Sequence, residues 1–248
     1  MYYYFTNGRV DRSGAQIHDM MFAYAYCFHR NIPYIGSKLN NHIKDVLPLI
    51  KFLNFLDVNI KYKRSNLRLL YPKIYRNIDS KIFTNNFIKN ICSKFKYEEK
   101  NKDIFKIAIH IRRGDVTPKK FWKEYCRYLP NKYYLQLIKY IENVFKKLNI
   151  KKKLEINIYT ESKSYESLYE FKKYNLHLDT PLISVWNDLI NSDIYIMSKS
   201  SFSFIPALYN KNIVIYYQFW HNKLNHWLQS TNKNFPIYFE NTLIKYIK

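Results

Sequence analysis

One strand-like run followed by a charged turn constrains the fold of this 248-residue chain more than any other segment. Apolar residues recur at every second position, so Ile107, Ile109 and Ile111 share one face of a strand. His110 and Arg112 share the opposite face. The run then ends in a second arginine, a glycine and an aspartate. Such a strand carries cationic side chains to the edge of a sheet, where ligands of open α/β proteins bind.

The paired arginines at the end of this strand predict an anion site. A guanidinium suits phosphate oxygens because its planar fork makes bidentate, charge-assisted hydrogen bonds. If the strand continues, alternation turns Arg113 away from Arg112, so that it supports the loop or reaches a nucleotide through the turn. The alternative interpretation is an ordinary core strand whose polar end forms a turn with surface charges.

Strand-like and helix-like segments alternate along much of the chain, which predicts an α/β protein with parallel sheets. Strands are predicted at 2–6, 31–36, 104–111, 154–159, 193–197 and 213–217, and helices from 15, at 131–148, 165–174, 184–190 and 200–209. Residues 40–100 are expected to be mostly helical. The composition shows no distinct linker segment. We place a domain boundary near residue 100, which gives two predicted α/β domains, 1–100 and 101–248.

The formal net charge of +22 predicts attraction to a polyanion, namely nucleic acid, an anionic membrane or a phosphorylated substrate. The lysines are spread along the chain, and Asn, Ile and Tyr are abundant too, so part of this basicity is compositional. Charge and tyrosine content support a nucleic-acid-binding alternative, but no helix-turn-helix, zinc-finger or RNA-recognition signature accompanies them.

The three cysteines and the N-terminus favour a reducing compartment. Cys27, Cys92 and Cys126 are an odd number without paired spacing, which predicts neither a disulfide framework nor a zinc site. The first six residues lack the basic region and apolar core of a signal peptide, and no apolar run is long enough to span a bilayer. We therefore expect a cytoplasmic protein.

Three segments together resemble the fucosyltransferases that form α1,2-, α1,6- and protein-O-linked fucose. His110 to Asp115 is similar to their His-x-Arg-Arg-x-Asp signature. The segment 191–203 is similar to the region where an acidic residue starts a strand and a serine-rich turn begins a helix. Ser13 to Gln16 resembles a thinned version of their Gly-x-Gly-x-Gln loop. The resemblance extends by order and spacing from about residue 4 to residue 217.

This resemblance implies a GT-B-like fold, in which two Rossmann-like parallel-sheet layers face a cleft. Residues 1–100 would form the acceptor-side domain and 101–248 the nucleotide-sugar-binding domain. It further implies an inverting transferase that moves fucose from GDP-fucose to a glycan hydroxyl, in an α1,2 linkage of a surface glycan, without a metal or other cofactor. The implied partners are a GDP-sugar donor, a glycan or glycolipid acceptor and an anionic membrane surface that holds the protein peripherally; nucleic acid is not expected.

The resemblance also assigns candidate donor residues. Arg112 corresponds to the clamp on the β-phosphate, with His110 on the same face and Arg113 beside it. Asp193 corresponds to the position facing the guanine edge, or it is a turn carboxylate bonded to backbone. The remaining candidates are Ser200 and Ser201 at a helix start, for phosphate or as N-caps, Glu161 in a reduced acidic turn, and Gly14 with Gln16 near the sugar or acceptor.

The general base is the open position in this scheme. Some family members carry a glutamate about ten residues past the histidine, where this chain has Lys120. Glu124 is near in sequence, and Asp115 belongs to the signature but is expected to cap its own loop. A base accepts the proton of the acceptor hydroxyl during displacement. Because the base is unassigned and the glycine loop is thinned, an inactive relative that binds a GDP-sugar or glycan is a further alternative.

Overall fold

The computed structural model describes residues 2–8, 12–39, 42–56, 67–71, 74, 80–118 and 127–247. These residues form a first parallel sheet near the N-terminus and a second parallel sheet from residue 104 onward. The strands of the first sheet are β1 (Tyr3–Asn7), β2 (Tyr34–Lys38) and β3 (Leu67–Leu69), in the order β2-β1-β3. The strands of the second sheet are β4 (Ile104–Ile111), β5 (Lys153–Thr160), β6 (Asn175–Leu178), β7 (Ile194–Ile196), β8 (Ile213–Tyr216) and β9 (Leu228–Gln229).

The second sheet has the strand order of dinucleotide-binding folds. Its order is β6-β5-β4-β7-β8-β9, and every neighbouring pair is parallel. Counted from β4, this is 3-2-1-4-5-6, in which the chain reverses its direction of travel across the sheet between the first and fourth strands. Ligands of such sheets bind outside the carboxyl ends of the strands at that point. The predicted α/β class and the two Rossmann-like parallel layers of a GT-B-like arrangement are confirmed.

The helices cover both sheets and join the two layers. They are α1 (Ser13–Phe28), α2 (Ile43–Leu53), α3 (Asn85–Lys94), α4 (Asn131–Lys147), α5 (Leu182–Asn191), α6 (Ser201–Tyr209) and α7 (Phe235–Ile247). One apolar cluster contains residues of α1, α2, α3, α5 and α6 together with one face of the second sheet. The core is therefore continuous across residue 100, and the division into domains 1–100 and 101–248 stays a prediction.

The two faces of β4 have the environments that its alternation predicts. Ile107, Ile109 and Ile111 are buried in a second cluster with α4 and α7, whereas Ala108 belongs to the cluster that contains α1 and α6. Burying apolar side chains on both faces makes β4 a central strand, typical of a parallel sheet covered on both sides. His110 and Arg112 consequently emerge on the α1 side of the sheet.

The predicted helix at 165–174 is wrong. That segment contains a single 3-10 turn at Tyr169–Phe171, and the following residues form β6, which pairs with β5. Phe171 is fully buried, but its neighbours Tyr169 and Glu170 are exposed, so no continuous apolar face supports a helix. The short strands β3 and β9 and the helix α7 were not predicted either. None of the described helices has both the length and the apolar character that crossing a bilayer requires.

Candidate functional site

A cavity of about 810 Å³ lies at the carboxyl edge of the second sheet. Its walls come from the ends of β4 and β5, the starts of α5 and α6, the first turns of α1 and the loop after β8. The cavity therefore lies at the reversal point of the strand order, with α1 of the first layer opposite. Seven of the predicted site residues line it, namely Gly14, His110, Arg112, Asp115, Glu161, Ser200 and Ser201.

Arg112 is the buried cation at the end of β4. Its guanidinium donates hydrogen bonds to Glu161, to Asp115 and, at 3.0 Å, to the carbonyl of Arg113. Arg12, at the start of α1, also donates to Glu161 at 3.0 Å. Burial lowers the pKa of Arg112, and Glu161 and Asp115 oppose that shift by stabilising the charged form. The result is a network of two arginines and two carboxylates on the cavity wall.

His110 is neutral and fixed by two serine hydroxyls. Its Nδ1 lies 2.5 Å from Ser203 Oγ and 3.0 Å from Ser198 Oγ, and its ring packs on Phe202. Burial, aided by the charges of Arg112 and Arg113, lowers the pKa of His110 to about 3. Among the described residues no group bonds to Nε2. His110 can therefore present one neutral ring nitrogen to a ligand while serines orient the ring.

The start of α6 forms the neighbouring part of the wall. Ser200 is the N-cap and accepts a hydrogen bond from the backbone of Phe202 at 3.1 Å, as the N-cap alternative predicts. The Ser201 hydroxyl lies 3.0 Å from Nε2 of His221. Gly14 of α1 packs directly on this turn, because a Cβ at that position would lie 2.7 Å from Cα of Phe202. Its small size lets α1 and α6 meet behind the cavity.

Arg113 lies outside the cavity, on the opposite face of the sheet, which corrects its assignment to a nucleotide. It is fully buried and donates to Asn131 at 2.5 Å and to the carbonyl of Arg112 at 2.9 Å. Its guanidinium also stacks over Tyr128 and lies 3.5 Å from Glu166. Strand alternation turns the Arg113 side chain away from Arg112. Its hydrogen bonds therefore connect the start of α4 with the loop that follows β4. Asn131, where the predicted helix was expected to begin, is the first residue of α4 and a partner of Arg113.

Asp193 lies at the amino edge of the second sheet, so its predicted place at a guanine in the cavity is wrong. It accepts hydrogen bonds from Lys100 at 2.7 Å, from the backbone of Lys106 at 2.7 Å and from Tyr246 at 2.5 Å. Because Asp193 precedes β7, the strand itself separates the carboxylate from the carboxyl edge. Burial, and then the hydrogen bond to Asp193, raise the pKa of Tyr246.

One further predicted residue is not part of the described cavity wall. Gln16 is buried on the β1 side of α1, where its Oε1 lies 3.5 Å from the position of a Cβ on Gly8. This corrects its assignment to the sugar or acceptor. Glu124, the candidate base, lies outside the described residues, as do Lys120 and Cys126.

Several cavity residues were missed by sequence reasoning. They are Arg12, His18, Asp19, Arg127, His177, Asp179, Trp220 and His221. A signal existed for one pair only. Ile17, Met20 and Met21 mark the core face of α1, so the polar residues His18 and Asp19 between them mark an opposite stripe. The loop residues carry no local pattern that predicts their approach to Arg112.

The described residues contain no group of three or more His, Cys, Asp or Glu side chains placed to hold a metal ion. Cys27 and Cys92 are buried and unbridged, and burial raises the pKa of Cys27 to about 12, which keeps this thiol protonated. Whether the site works without a metal stays a prediction.

No protein-family model matches the sequence, and no curated protein matches it. Among solved structures, the iron-containing dodecameric glycosyltransferase TibC from enterotoxigenic E. coli is 9% identical over 92% of this chain and 65% of its own, with a TM-score of 0.46. A TibC structure with ADP-D-β-D-heptose is 9% identical over 85% of this chain and 56% of its own, with a TM-score of 0.39. E. coli heptosyltransferase WaaC with ADP-2-deoxy-2-fluoro heptose is 8% identical over 100% and 99%, with a TM-score of 0.37. This chain thus spans less than two thirds of the length of TibC.

Proposed function

We propose that this protein is a glycosyltransferase that binds a nucleotide-sugar donor in the cavity at the carboxyl edge of the second sheet. The observation that carries the proposal is the position of a buried arginine, Arg112, at the reversal point of a 3-2-1-4-5-6 sheet. Sheets of this order bind nucleotides at that point. A guanidinium there is suited to the diphosphate, on which negative charge builds as the sugar leaves.

The residues around Arg112 divide the work of holding that leaving group. Arg112 stabilises the diphosphate charge, while neutral His110 offers Nε2 to a phosphate or sugar oxygen. Ser200 and Ser201 add hydroxyls at the start of α6, where the positive end of the helix dipole favours an anion. These groups are oriented before the donor arrives, so little reorganisation accompanies charge development.

Glu161 and Asp115 neutralise Arg112 when no donor is bound. A buried guanidinium without a partner is costly, and the two carboxylates supply that partner. The Glu161 side chain is about one-third exposed. It can therefore rotate toward the solvent when phosphate oxygens take its place on Arg112. We assign Asp115 and Glu161 to this exchange, and Asp115 keeps the structural role predicted for it.

The finer assignment is a GDP-fucose donor, transfer with inversion to a glycan or glycolipid hydroxyl, and independence of metal ions. It rests on the resemblance of His110 to Asp115 to the fucosyltransferase signature. Because Asp193 lies at the amino edge, no residue is assigned to recognise the base of the nucleotide. ADP-heptose, the ligand of one TibC structure, is therefore the comparison donor.

The first experiment is calorimetric binding of GDP, GDP-fucose and ADP-heptose in chelator-containing buffer. We expect GDP-fucose to bind with micromolar affinity to the wild type and at least thirtyfold more weakly to Arg112→Ala, a loss of about 2 kcal/mol. The matched control is Arg30→Ala, an exposed arginine that stacks on Tyr26, which we expect to bind like the wild type.

The outcomes separate the alternatives. Tighter binding of ADP-heptose than of GDP-fucose keeps the transferase and replaces its donor. Binding without release of GDP in the presence of acceptors indicates an inactive relative. No binding of any nucleotide sugar, together with nucleic-acid affinity that falls steeply with salt, overturns the proposal.

Peripheral attachment to a membrane is a separate proposal that rests on the net charge of +22. Each basic residue near an anionic surface contributes about 1 kcal/mol to attachment. We expect the protein to sediment with liposomes that contain anionic lipid at physiological salt and to stay in solution with neutral ones.

A further inference from the structure

The solvent-facing side of α4 carries lysines in a straight row. Lys132, Lys139 and Lys146 are exposed and recur at every seventh position, which returns each to nearly the same side of an α-helix. The exposed amides Gln136 and Asn143 lie between them on that side. We call these five residues the lysine stripe. Its first and last lysines are about 21 Å apart along the helix axis.

The helices of this protein differ strongly in charge. Although the whole chain has a net charge of +22, the helices α1, α5 and α6 that border the cavity contain no lysine or arginine. The sequence of α4 has four lysines and a single acidic residue, Glu142, which is half-buried and interacts with Lys173 and Tyr174. Because α4 packs on the face of the second sheet opposite α1 and α6, the lysine stripe lies away from the first layer.

The stability of α4 does not account for the lysine stripe. None of its lysines forms an ion pair with a residue that the structure describes, whereas the adjacent Lys147 is paired with Glu240 at 2.7 Å. The helix dipole favours Lys146, which is near the C-terminus of α4, but it opposes Lys132 in the first turn, where no acidic residue offsets the charge. A cation at that position weakens the helix, so its presence points to a partner outside the chain.

The basic surface continues past the end of α4. After the turn at Asn149, the exposed run Lys151 to Lys153 leads into β5 at the amino edge of the second sheet. Lysines therefore extend along the whole helix and onto the neighbouring sheet edge. Neither the stripe nor this run lines the cavity. A large anionic surface that contacts these lysines therefore leaves the proposed donor site open.

We propose that the lysine stripe and the run Lys151 to Lys153 form the face that lies on an anionic lipid bilayer; the inference rests on the proposed membrane attachment. Lysine suits a plane of lipid headgroups because its ammonium group is a compact, hydrated charge that needs no fixed partner geometry. The stripe contains no arginine and no aromatic ring, the side chains that stack on nucleobases. Its composition therefore favours a bilayer over a nucleic acid.

This assignment also orients the cavity. Because α4 connects the parallel strands β4 and β5, it runs alongside them, and a bilayer on its outer side lies parallel to the strands. The carboxyl edge of the second sheet then points along the bilayer. In this orientation the cavity opens to the side, where an acceptor linked to a lipid can approach it.

The test is sedimentation with vesicles of equal parts phosphatidylcholine and phosphatidylglycerol at physiological salt. The triple variant Lys132→Gln, Lys139→Gln, Lys146→Gln keeps the helix propensity of α4 and removes three charges. We expect its vesicle affinity to fall about tenfold to a hundredfold, because each lysine near an anionic surface contributes about fivefold. The triple Lys→Arg variant at these positions keeps the charges and should bind within about twofold of the wild type.

The matched control replaces Lys44, Lys51 and Lys89 with glutamine. These exposed lysines of α2 and α3 belong to the first layer, and the control changes the net charge by the same amount. Its vesicle affinity should stay within about threefold of the wild-type value, since charges beyond a Debye length of the bilayer are largely screened. Urea unfolding verifies that both glutamine variants are folded.

The outcomes separate the face from the attachment itself. Equal losses of affinity in the stripe variant and the control would mean that net charge alone holds the protein on the vesicle, and the assigned face would be wrong. A wild type that sediments with neither anionic nor neutral vesicles overturns the proposed membrane attachment, and the inference falls with it. If that wild type instead binds double-stranded DNA and the stripe variant does not, the lysine stripe is a nucleic-acid surface.

Discussion

The two edges of the second sheet carry similar ion pairs in opposite settings. At the carboxyl edge Arg112 is bonded to Glu161 and Asp115 beside an open cavity. At the amino edge Asp193 is bonded to Lys100 and Tyr246, and α7 covers it. Both are charged pairs at the ends of parallel strands, but the first lines a cavity whose facing wall comes from another layer, which leaves space for a ligand.

This difference teaches that the surroundings of an ion pair, more than its residue types, decide its use. Asp193 joins the backbone of β4, the start of β7 and the end of α7 through three hydrogen bonds, so its bonds stabilise the sheet. Arg112 has carboxylate partners on two loops, and both of these side chains are partly exposed to water. Its bonds can exchange for those of a ligand, which suits a binding site.

The largest expected effect is a difference in stability between variants of the two adjacent arginines at the carboxyl edge. Arg113→Ala should lower the free energy of unfolding by at least about 3 kcal/mol, because it removes a buried cation, the donor to Asn131 Oδ1 and the ion-pair partner of Glu166. Arg112→Ala should cost less than half as much, since Glu161 and Asp115 can hydrate. Urea unfolding measures both. Equal losses of stability would contradict the separation between a structural and a ligand-binding arginine.

The amino edge is tested by Asp193→Asn, which keeps the shape of the side chain and removes its charge. We expect a loss of about 2 kcal/mol in unfolding free energy, because a largely buried carboxylate with three donors becomes a weaker acceptor. Donor affinity should stay within twofold in calorimetry. A loss of GDP binding without a loss of stability would instead support the role of Asp193 in contacting the guanine.

The pH dependence of stability gives the next effect. Folding lowers the pKa of His110 from 6.5 to about 3, so below pH 6.5 the unfolded chain binds a proton that the folded chain does not. Proton uptake by the unfolded chain therefore lowers the free energy of unfolding as the pH falls, by about 2 kcal/mol at pH 5. Above pH 7 neither state binds this proton, so the effect is absent. His110→Gln should lack this part of the decline. Parallel urea titrations at pH 7 and 5 compare the two slopes, and identical declines would contradict a neutral, buried His110.

The smallest effect concerns the exchange at Arg112. Glu161→Gln removes the anion that competes with phosphate, so GDP should bind about three- to tenfold more tightly, a gain of about 1 kcal/mol. The gain should shrink at high salt because Glu161 is partly exposed. Asp179→Asn is the control, being a carboxylate of the same cavity that does not contact Arg112. Weaker GDP binding in Glu161→Gln would mean that Glu161 orients Arg112 for the donor.

The local pattern predicted much of the fold. The strand at 104–111 has the predicted bounds and faces, because alternation is a property of neighbouring residues. The α4 region and the strand–turn–helix around α6 followed from the same signals. The predicted helix at 165–174 was wrong because β6 forms by pairing with β5. Local hydrophobic periodicity does not reveal such pairing. The edge of Asp193 could have been deduced, since a residue that precedes a parallel strand lies at the amino edge.

The sequence by itself determined that His110 and Arg112 share a face and that Arg113 points away, because a strand sends successive side chains to opposite sides. It also marked the polar stripe of α1. Only the tertiary structure decided that Glu161, 49 positions away, neutralises Arg112, and that Asp19 and His221 form the opposite wall. Contacts of that kind depend on strand order and layer packing, which bring distant segments together through many weak interactions.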